Sequence, residues 1–307
     1  MYDIVIVGGG PAGLTAAVYG LRAGKSVVVI EKNGFGGQIA YSPKVENIPG
    51  TIQISGAEFA DKLTEQAMNL GADMELETVT AVEKTETGFL IHTEDGAEFE
   101  GKTVILALGV RHRMLELPGE EELIGSGISF CAVCDGAFYA GQDVAMVGGG
   151  NSALQEALLL SETSKSVTVI QNLADFTGER RLADALLQKD NVTVHFSTIV
   201  TGYRSGRGAL TGLELRNTQT GESFTIDVDG AFLAVGLMPE NGAFAELAKL
   251  NGWGYFDSGE DCRTVTEGLF VAGDCRSKRI RQVVTAAGDG AVAAMAACMY
   301  LDQKHRV

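Results

Sequence analysis

The feature that most constrains this fold is an internal repeat of a buried strand, a glycine turn and an apolar helix. Residues 2–7 (YDIVIV) lead into the turn Gly8-Gly9-Gly10-Pro11-Ala12-Gly13, and residues 143–147 (DVAMV) lead into Gly148-Gly149-Gly150-Asn151-Ser152-Ala153. A helix pattern and a second strand run follow each turn. This order is typical of the dinucleotide-binding βαβ element, so the sequence predicts two nucleotide sites.

Both halves continue in the same way, with short alternating strands and a closing buried strand. The predicted strands are 78–84, 89–93, 98–100 and 103–108 in the first half, and 192–196, 210–217, 223–227 and 230–235 in the second. The fold class is therefore predicted as α/β, with two Rossmann-like domains that each combine a parallel sheet with an antiparallel β-meander.

The order of the domains is predicted to be discontinuous. The strand run 269–274 and the helix pattern 283–299 carry no nucleotide motif of their own and would complete the first half. The second domain then becomes an insertion, 114–241, within a first domain of 1–113 and 242–307. The Pro- and Gly-containing stretches 117–119 and 238–242 are the expected hinges.

In the first turn, each glycine has a predicted task. Gly8 permits the tight bend, Gly10 lets the backbone approach a pyrophosphate, and Gly13 lets the helix pack on the strand. Glu31 ends the second strand, where a carboxylate would bind the ribose hydroxyls. A dinucleotide site is favoured over a purely structural glycine turn.

The second turn follows the same logic at Gly148, Gly150 and Ala153. Its strand ends at Ile170, and neither an acid nor an arginine follows directly. A 2′-phosphate would need Arg or Lys in that region. The identity of the nucleotide at this turn therefore stays open on the residues alone.

Cys131-Ala132-Val133-Cys134, followed by Asp135, is the candidate reactive site. Structural zinc would need a second cysteine pair, which the sequence lacks, so no metal site is predicted. Two inert buried thiols are the other alternative. A redox pair is favoured, with Asp135 as the candidate proton donor during dithiol exchange.

Composition excludes several classes of function. The 307 residues carry a net charge of −16, which disfavours nucleic acid and anionic membranes as partners. No signal peptide and no uninterrupted apolar stretch of about 18 residues is recognised, so no membrane span is expected. Five cysteines do not suit a secreted disulfide framework, and Cys262, Cys275 and Cys298 are expected to be buried. A cytoplasmic protein is predicted.

On these residues the chain resembles low-molecular-weight bacterial thioredoxin reductases over essentially its full length. The matching motifs are Gly36-Gly37-Gln38, Val45-Glu46-Asn47-Ile48-Pro49-Gly50, Cys131-Ala132-Val133-Cys134-Asp135-Gly136, Gly148 to Ala153, and Gly273-Asp274 with Arg281-Gln282. The resemblance implies a homodimer that passes electrons from a reduced donor to FAD, to the Cys131–Cys134 disulfide and to thioredoxin. It also implies that Cys134 faces the flavin and Cys131 attacks the partner.

The resemblance implies two cofactor sites. FAD would be lined by Gly10, Gly13, Glu31, Gly37, Gln38, Asn47, Val79, Gly109, Gly273, Asp274, Arg281, Gln282 and Val283. A reduced nicotinamide would bind at Gly148, Gly150, Asn151, Ser152 and Ala153. Because the dithiol and the nicotinamide site share the inserted domain, that domain is expected to rotate about its hinges.

The match fails where NADPH-dependent members carry a His-Arg-Arg run and a later arginine. Here those positions hold Gln171, Asn172, Leu173 and Thr177. NADH is one alternative donor to NADPH. Ferredoxin is another, with Arg276, Lys278, Arg279 and Arg281 as a docking surface, but the favoured interpretation is that Arg281 serves the flavin and the others are solvated. A redox-sensing flavoprotein without turnover is the non-enzyme alternative, and the Cys-x-x-Cys pair disfavours it.

Overall fold

The computed structural model describes residues 1–42 and 45–304, and these residues form two compact units. The outer unit comprises Met1–Ala40, Asn47–Arg111 and Met238–Val307, and the inner unit comprises Tyr41–Glu46 and His112–Leu237. The sequence prediction does not contain the short inner-unit segment Tyr41–Glu46. Each unit has its own sheet and its own core.

The strands follow one another as β1 Tyr2–Val7, β2 Val27–Glu31, β3 Asp73–Leu76, β4 Val79–Lys84, β5 Phe89–Thr93, β6 Glu98–Leu106, β7 Arg111–His112, β8 Ile128–Ser129, β9 Asp143–Val147, β10 Ser166–Ile170, β11 Val192–His195, β12 Thr198–Gly206, β13 Ala209–Asn217, β14 Ser223–Asp227, β15 Gly230–Leu233, β16 Leu237–Met238 and β17 Leu269–Val271.

The α-helices are α1 Pro11–Arg22, α2 Gly56–Asn69, α3 Glu120–Leu123, α4 Ala132–Asp135, α5 Asn151–Ser161, α6 Arg180–Leu187 and α7 Val283–Lys304. Short 3-10 helices span Gly37–Tyr41, Gly136–Tyr139, Gly242–Phe244 and Gly273–Cys275.

The outer sheet has the order β3-β2-β1-β6-β5-β4, and β17 also pairs with β6. Strand β1 is parallel to β2 and β6, whereas β4, β5 and β6 form the antiparallel meander. Successive side chains of β1 enter opposite cores, with Ile4 and Ile6 on one face and Val5 and Val7 on the other. Burial on both faces explains the unbroken apolar run of β1.

Helix α7 packs on α1 within the outer core. An added Cβ on Gly290 would lie 2.1 Å from the Ala12 carbonyl oxygen, so the two backbones approach closely. In the described part of the chain, α7 alone has the length and composition of a membrane span, although Asp289 interrupts its apolar run. Its buried alanines Ala293, Ala294 and Ala297 pack in the outer core, as expected for a core helix.

The inner unit contains a parallel sheet in the order β11-β10-β9-β15-β8 and a separate antiparallel sheet, β12-β13-β14. Helices α4, α5 and α6 pack on one face of the parallel sheet, and the three-stranded sheet contributes to the core on the other. The α/β fold class, with two nucleotide-binding-type sheets, is confirmed by this topology.

Three strand predictions are wrong in detail. The segments 98–100 and 103–108 form one strand, β6, because Gly101 pairs with Tyr2 and Phe89 at the same time. Strand β11 joins the parallel sheet rather than the meander. Strand β12 is absent from the prediction, since Gly202 and Gly206 interrupt its alternation and a bulge follows Val200.

Candidate functional site

The first glycine turn joins β1 to α1 in the geometry that a bound dinucleotide requires. Gly8 has φ +108°, and a Cβ there would lie 2.3 Å from the Ala107 carbonyl oxygen. A Cβ on Gly13 would lie 1.9 Å from the Gly8 carbonyl oxygen. Helix α1 begins after Gly10 without a side-chain cap. Its first N–H groups and the positive end of its dipole are therefore available to an anion.

Glu31 lies directly beside this turn. One of its carboxylate oxygens accepts a hydrogen bond of 2.6 Å from the Gly9 N–H, and the other accepts one of 3.0 Å from the Asn33 N–H. The carboxylate thus holds the turn and stays partly exposed. A half-exposed carboxylate at the end of β2 suits the ribose hydroxyls of a nucleotide.

Further predicted residues gather around the first turn. A Cβ on Gly37 would lie 3.0 Å from Gly10 Cα, and a Cβ on Gly273 would lie 2.8 Å from Ala12 Cβ. Gln38 donates a hydrogen bond to the Val110 carbonyl oxygen, next to Gly109, which has φ +67°. These contacts bring four separate segments of the outer unit to one cradle.

The remaining outer residues lie on the same unit. Asn47 Nδ2 donates to Gln282 Oε1 at 3.1 Å, immediately before α7 begins at Val283. Arg281 stacks its guanidinium 4.3 Å from the ring centre of Tyr255. Val79 begins β4 and packs against the core on the Val5 side of the sheet.

Asp274 carries a buried acceptor. Among the described residues its Oδ1 atom has no hydrogen-bond partner, and Lys278 Nζ lies 3.9 Å away. Burial raises the pKa of this carboxyl, against the opposing charges of Lys278 and Arg281. A buried orphan acceptor beside a nucleotide cradle indicates that a ligand supplies the missing donor.

The second glycine turn joins β9 to α5 in the inner unit. Gly148 has φ +130°, and a Cβ there would lie 2.5 Å from the Ala234 carbonyl oxygen and 3.3 Å from Ala153 Cβ. Helix α5 begins after Gly150 without a side-chain cap, like α1. Asn151 and Ser152 form its exposed first turn.

The segment after β10 folds back over this second turn. The Gln171 side chain is buried against Gly149. A Cβ added to Gly149 would lie 2.4 Å from the Nε2 atom of Gln171. The Thr177 and Gly178 N–H groups donate to the Gly149 carbonyl oxygen at 2.9 and 3.0 Å. Asn151 Oδ1 accepts from the Glu179 N–H at 2.6 Å. The turn is thus bordered by an amide, a hydroxyl and an acid.

The two predicted redox cysteines, Cys131 and Cys134, form a disulfide at the start of α4, with their Cα atoms 5.3 Å apart. Cys131 is the N-cap residue, and its Sγ atom accepts from the Cys134 N–H at 3.2 Å. Val133, between them, is exposed. This disulfide and the second glycine turn lie in the same unit.

Asp135, the last residue of α4, is held by Ser129. The Ser129 hydroxyl donates to Asp135 Oδ2 at 2.6 Å and accepts from the Cys131 N–H at 3.2 Å. Burial raises the pKa of Asp135, while the bond from Ser129 opposes that rise. A carboxyl with a raised pKa beside a disulfide is suited to hold a proton for thiol chemistry.

Comparison with known proteins decides the family. Residues 2–290 match the profile of the pyridine nucleotide-disulphide oxidoreductases. The chain belongs to the pyridine nucleotide-disulphide oxidoreductase family.

Similar proteins within that family are thioredoxin reductases by name. The thioredoxin reductase of Treponema pallidum (strain Nichols) is 38% identical over 98% of this chain and 97% of the relative. The bifunctional thioredoxin reductase/thioredoxin of Mycobacterium leprae (strain TN) is also 38% identical, over 98% of this chain and 66% of the relative. The crystal structure of thioredoxin reductase from Streptococcus pyogenes MGAS5005 is similar with a TM-score of 0.91 and 37% identity, over 99% of both chains.

One polar residue near the disulfide of this oxidoreductase was not predicted. Glu156 of α5 accepts a hydrogen bond of 2.9 Å from the Ala132 N–H, between the two cysteines. Burial is the main cause that raises its pKa to about 7. Glu156 lies three residues after Ala153 and four before Leu160, and both of these are fully buried. Because residues at this spacing share one face of a helix, the sequence did contain a signal that this acid faces inward.

The basic residues 276–281 do not form a free cationic surface. Arg276 makes two hydrogen bonds to the Asp289 carboxylate, at 2.7 and 2.9 Å, and Lys278 makes a third at 2.9 Å. The side chains of Arg276 and Lys278 are only 11% and 10% exposed. Two of the four basic residues that a docked acidic protein would need are therefore held in an internal ion-pair network, whereas Arg279 is exposed.

The three other cysteines are buried and unpaired thiols, as the sequence predicts. Burial raises the pKa of Cys262 to about 11 and that of Cys275 to about 12. Thiols of this kind are poor nucleophiles at neutral pH. Within residues 1–42 and 45–304, no group of three or more His, Cys, Asp or Glu side chains is arranged to hold a metal ion.

Proposed function

We propose that this oxidoreductase is a flavin-dependent thioredoxin-disulfide reductase. The observation that carries the proposal is the Cys131–Cys134 disulfide, which starts a short helix and has the buried Asp135 carboxyl beside it. The similar proteins from Treponema pallidum and Streptococcus pyogenes carry the name thioredoxin reductase. We extend that disulfide substrate to this chain.

FAD is the cofactor proposed for the outer unit. The uncapped start of α1 suits its pyrophosphate, Glu31 suits its ribose, and the orphan Asp274 Oδ1 suits a hydroxyl donor of the cofactor. When bound, FAD supplies reversible two-electron transfer. The residues proposed to hold it are Gly8, Gly10, Gly13, Glu31, Gly37, Gln38, Asn47, Val79, Gly109, Gly273, Asp274, Arg281, Gln282 and Val283.

The protein's own residues then perform dithiol–disulfide exchange. The reduced pair loses two electrons and two protons as its S–S bond forms, and the partner's S–S bond breaks to give two thiols. We assign Cys131 the attack on the partner and Cys134 the closing of the enzyme disulfide. Asp135 holds a proton for the leaving sulfur, and Ser129 fixes the orientation of its carboxyl.

A nicotinamide nucleotide is the proposed donor, bound at Gly148, Gly150, Asn151, Ser152 and Ala153. NADH is favoured over NADPH because the side chains beside the turn are Gln171, Thr177 and Glu179 rather than arginines. The Arg180 side chain is 93% exposed, and its Nε atom lies 3.8 Å from Asp184 Oδ2. A 2′-phosphate would meet an acid and no positioned cation at this turn.

Ferredoxin as the donor receives less support, because Arg276 and Lys278 of the 276–281 cluster are held inside by Asp289. A homodimer in the cytoplasm is proposed from the family resemblance and the acidic composition. A flavoprotein that senses redox state without turnover remains the alternative that the following experiment tests.

The test is anaerobic stopped-flow bleaching of the flavin absorbance in the FAD-loaded protein, with NADH, NADPH and reduced ferredoxin in turn. Oxidised thioredoxin is then added and its thiols are counted. We expect fast bleaching by NADH and thiol formation that Cys131→Ser or Cys134→Ser abolishes while FAD stays bound. Cys298→Ala, at a buried thiol of α7, is the matched control and should keep full turnover.

Three outcomes would overturn parts of the proposal. Bleaching by ferredoxin alone would exclude the nicotinamide donor. Absence of thiol formation with every donor would favour the redox-sensing alternative. Full activity of Cys134→Ser would exclude a disulfide intermediate between the two cysteines.

A further inference from the structure

Glu156 is a partly buried acid that the exchange reaction described above does not use. It lies on α5, the helix that begins at the second glycine turn, and α5 packs against α4, the helix of the redox pair. Its neighbours on the inward face, Ala153, Ala157 and Leu160, are fully buried. An acid stands at this position although burial of a charge is unfavourable.

The carboxylate of Glu156 holds the backbone of the redox turn. Its Oε2 atom accepts the Ala132 N–H at 2.9 Å, an N–H group that the start of α4 leaves without an intrahelical partner. The neighbouring Cys131 N–H donates to Ser129, and the Cys134 N–H donates to Cys131 Sγ. Glu156 is therefore the one link from this turn to α5 among the hydrogen bonds of the described residues.

Glu156 also interacts with the proton-holding Asp135. Burial raises the pKa of Glu156 to about 7, the bond from Ala132 opposes this, and the Asp135 charge adds to it. Two carboxyls that repel each other in a poorly solvated place do not both ionise freely. Glu156 is therefore expected to retain a proton up to near neutral pH and to become charged above it.

The other titratable groups around α5 do not replace this pair. Tyr139, in the adjoining 3-10 helix, senses Asp135 and has a pKa raised by burial, so it stays neutral. Asp143 of β9 is bonded to Lys165 and Ser166. Glu162, at the end of α5, pairs with Lys189. The charged residues of α6 are exposed to solvent; they are Arg180, Arg181 and Asp184.

We propose that Glu156 is a positioning residue of the redox turn: it holds the Ala132 N–H between the two cysteines, and its charge at that place disfavours the thiolates of the reduced pair. The inference rests on the proposed disulfide reductase function. In each exchange Asp135 gives one proton to the leaving sulfur and regains one from the attacking thiol, so its carboxyl must be protonated when the S–S bond of the partner breaks. Glu156 gives up no atom or electron in this step.

The test compares Glu156→Gln with Glu156→Ala in the FAD-loaded protein. Glutamine keeps an acceptor for the Ala132 N–H but removes the charge, so the thiols of the reduced pair should ionise at lower pH. We expect the rise of the rate of thioredoxin reduction with pH to begin about one pH unit lower. Alanine should also lower the rate at every pH, because the turn loses its anchor. Glu162→Gln, on the exposed end of the same helix, should leave the profile unchanged.

A second readout separates this inference from the proposed function. The prereduced protein is alkylated with iodoacetamide between pH 5 and 9, which reports on the thiols whatever the natural partner is. Removal of the Glu156 charge should raise the alkylation rate at pH 7 by about threefold or more, because a nearby negative charge disfavours the thiolate. An unchanged alkylation profile and an unchanged exchange profile in Glu156→Gln would overturn the inference. Loss of thioredoxin reduction in the wild type, with the alkylation difference intact, would overturn only the choice of partner.

Discussion

Gln171 occupies in the inner unit the position that Glu31 occupies in the outer unit. The carbonyl oxygen of the residue before each accepts a hydrogen bond from the first glycine of the turn: Ile30 accepts from the Gly8 N–H at 2.8 Å, and Ile170 accepts from the Gly148 N–H at 2.9 Å. Each side chain then lies against the second glycine of its turn. The repeat therefore places a carboxylate beside one glycine turn and an amide beside the other.

The first prediction concerns the choice of nucleotide. Thr177 Oγ1 lies 3.9 Å from the position of a Cβ on Gly150, so a longer cationic side chain there would reach the edge of the nucleotide. Thr177→Arg combined with Asn172→Arg should raise the NADPH/NADH ratio of kcat/KM by at least about tenfold, since a charge-assisted hydrogen bond contributes about 1.5–3 kcal/mol. Steady-state kinetics with both nucleotides measures this.

Thr220→Arg, on an exposed turn of the same unit, is the control for added charge. An equal gain in this control would attribute the effect to long-range attraction rather than to a placed cation. A wild type that already prefers NADPH would contradict the proposed NADH donor.

The second prediction separates flavin reduction by the nucleotide from electron transfer to thioredoxin. Asp135→Asn keeps an acceptor for the Ser129 hydroxyl, so the fold of the redox turn should persist. The amide has no carboxyl proton to give to the leaving sulfur. We expect transfer to thioredoxin to slow by about 10²-fold or more, the usual contribution of a general acid. Flavin bleaching by the nucleotide should stay unchanged in the same stopped-flow trace. If the rates of flavin bleaching and of transfer to thioredoxin in Asp135→Asn both equalled those of the wild type, Asp135 would be excluded as the proton donor.

The third prediction uses two glycines of α7 as a matched pair. Gly290→Ala places a Cβ 2.1 Å from the Ala12 carbonyl oxygen, and the resulting separation of α1 and α7 should lower the free energy of unfolding by about 1–3 kcal/mol. Gly288→Ala meets no atom within 4 Å and should raise that free energy by about 0.5–1 kcal/mol. Urea unfolding followed by circular dichroism measures both. A loss for Gly288→Ala as large as for Gly290→Ala would contradict the close helix contact.

The fourth prediction concerns pH. Burial would raise the pKa of Asp289, but the bonds from Arg276 and Lys278 outweigh it and hold this pKa below that of an ordinary aspartate. The group therefore contributes stability that is complete above the unfolded pKa and is lost as pH falls through the folded one. Asp289→Asn should lower the free energy of unfolding by about 3 kcal/mol at pH 7, because two buried cations lose their counter-ion.

This difference between Asp289→Asn and the wild type should shrink as the pH falls below about 4, where the wild-type carboxylate also becomes protonated. Asp289 also accepts from the Gly273 N–H at 3.1 Å, so the variant should release FAD more readily, measured by flavin fluorescence. A difference in stability that is equal at pH 7 and pH 3 would show that the carboxylate charge is not the stabilising element.

Some of the site was open to prediction, because its residues act through local backbone geometry. Gly8, Gly13 and Gly148 occupy positions where a side chain would collide with a carbonyl oxygen or strain the backbone, so glycine itself marks the turn. The Cys131–Cys134 pair lies within one turn, and its spacing alone indicates a bridge. The ion pairs of the basic cluster were not predicted for the opposite reason, since the counter-ion Asp289 lies on α7, eleven residues after Lys278.

The sequence by itself determined the two glycine turns, the α/β class and the candidate dithiol, because periodicity, glycine spacing and cysteine spacing are short-range properties of the chain. Tertiary structure decided that β6 is continuous, that β11 joins the parallel sheet, and that Glu156 reaches the redox turn. Each of these depends on which distant segments pack together, and burial and charge pairing, rather than local propensity, determine that packing.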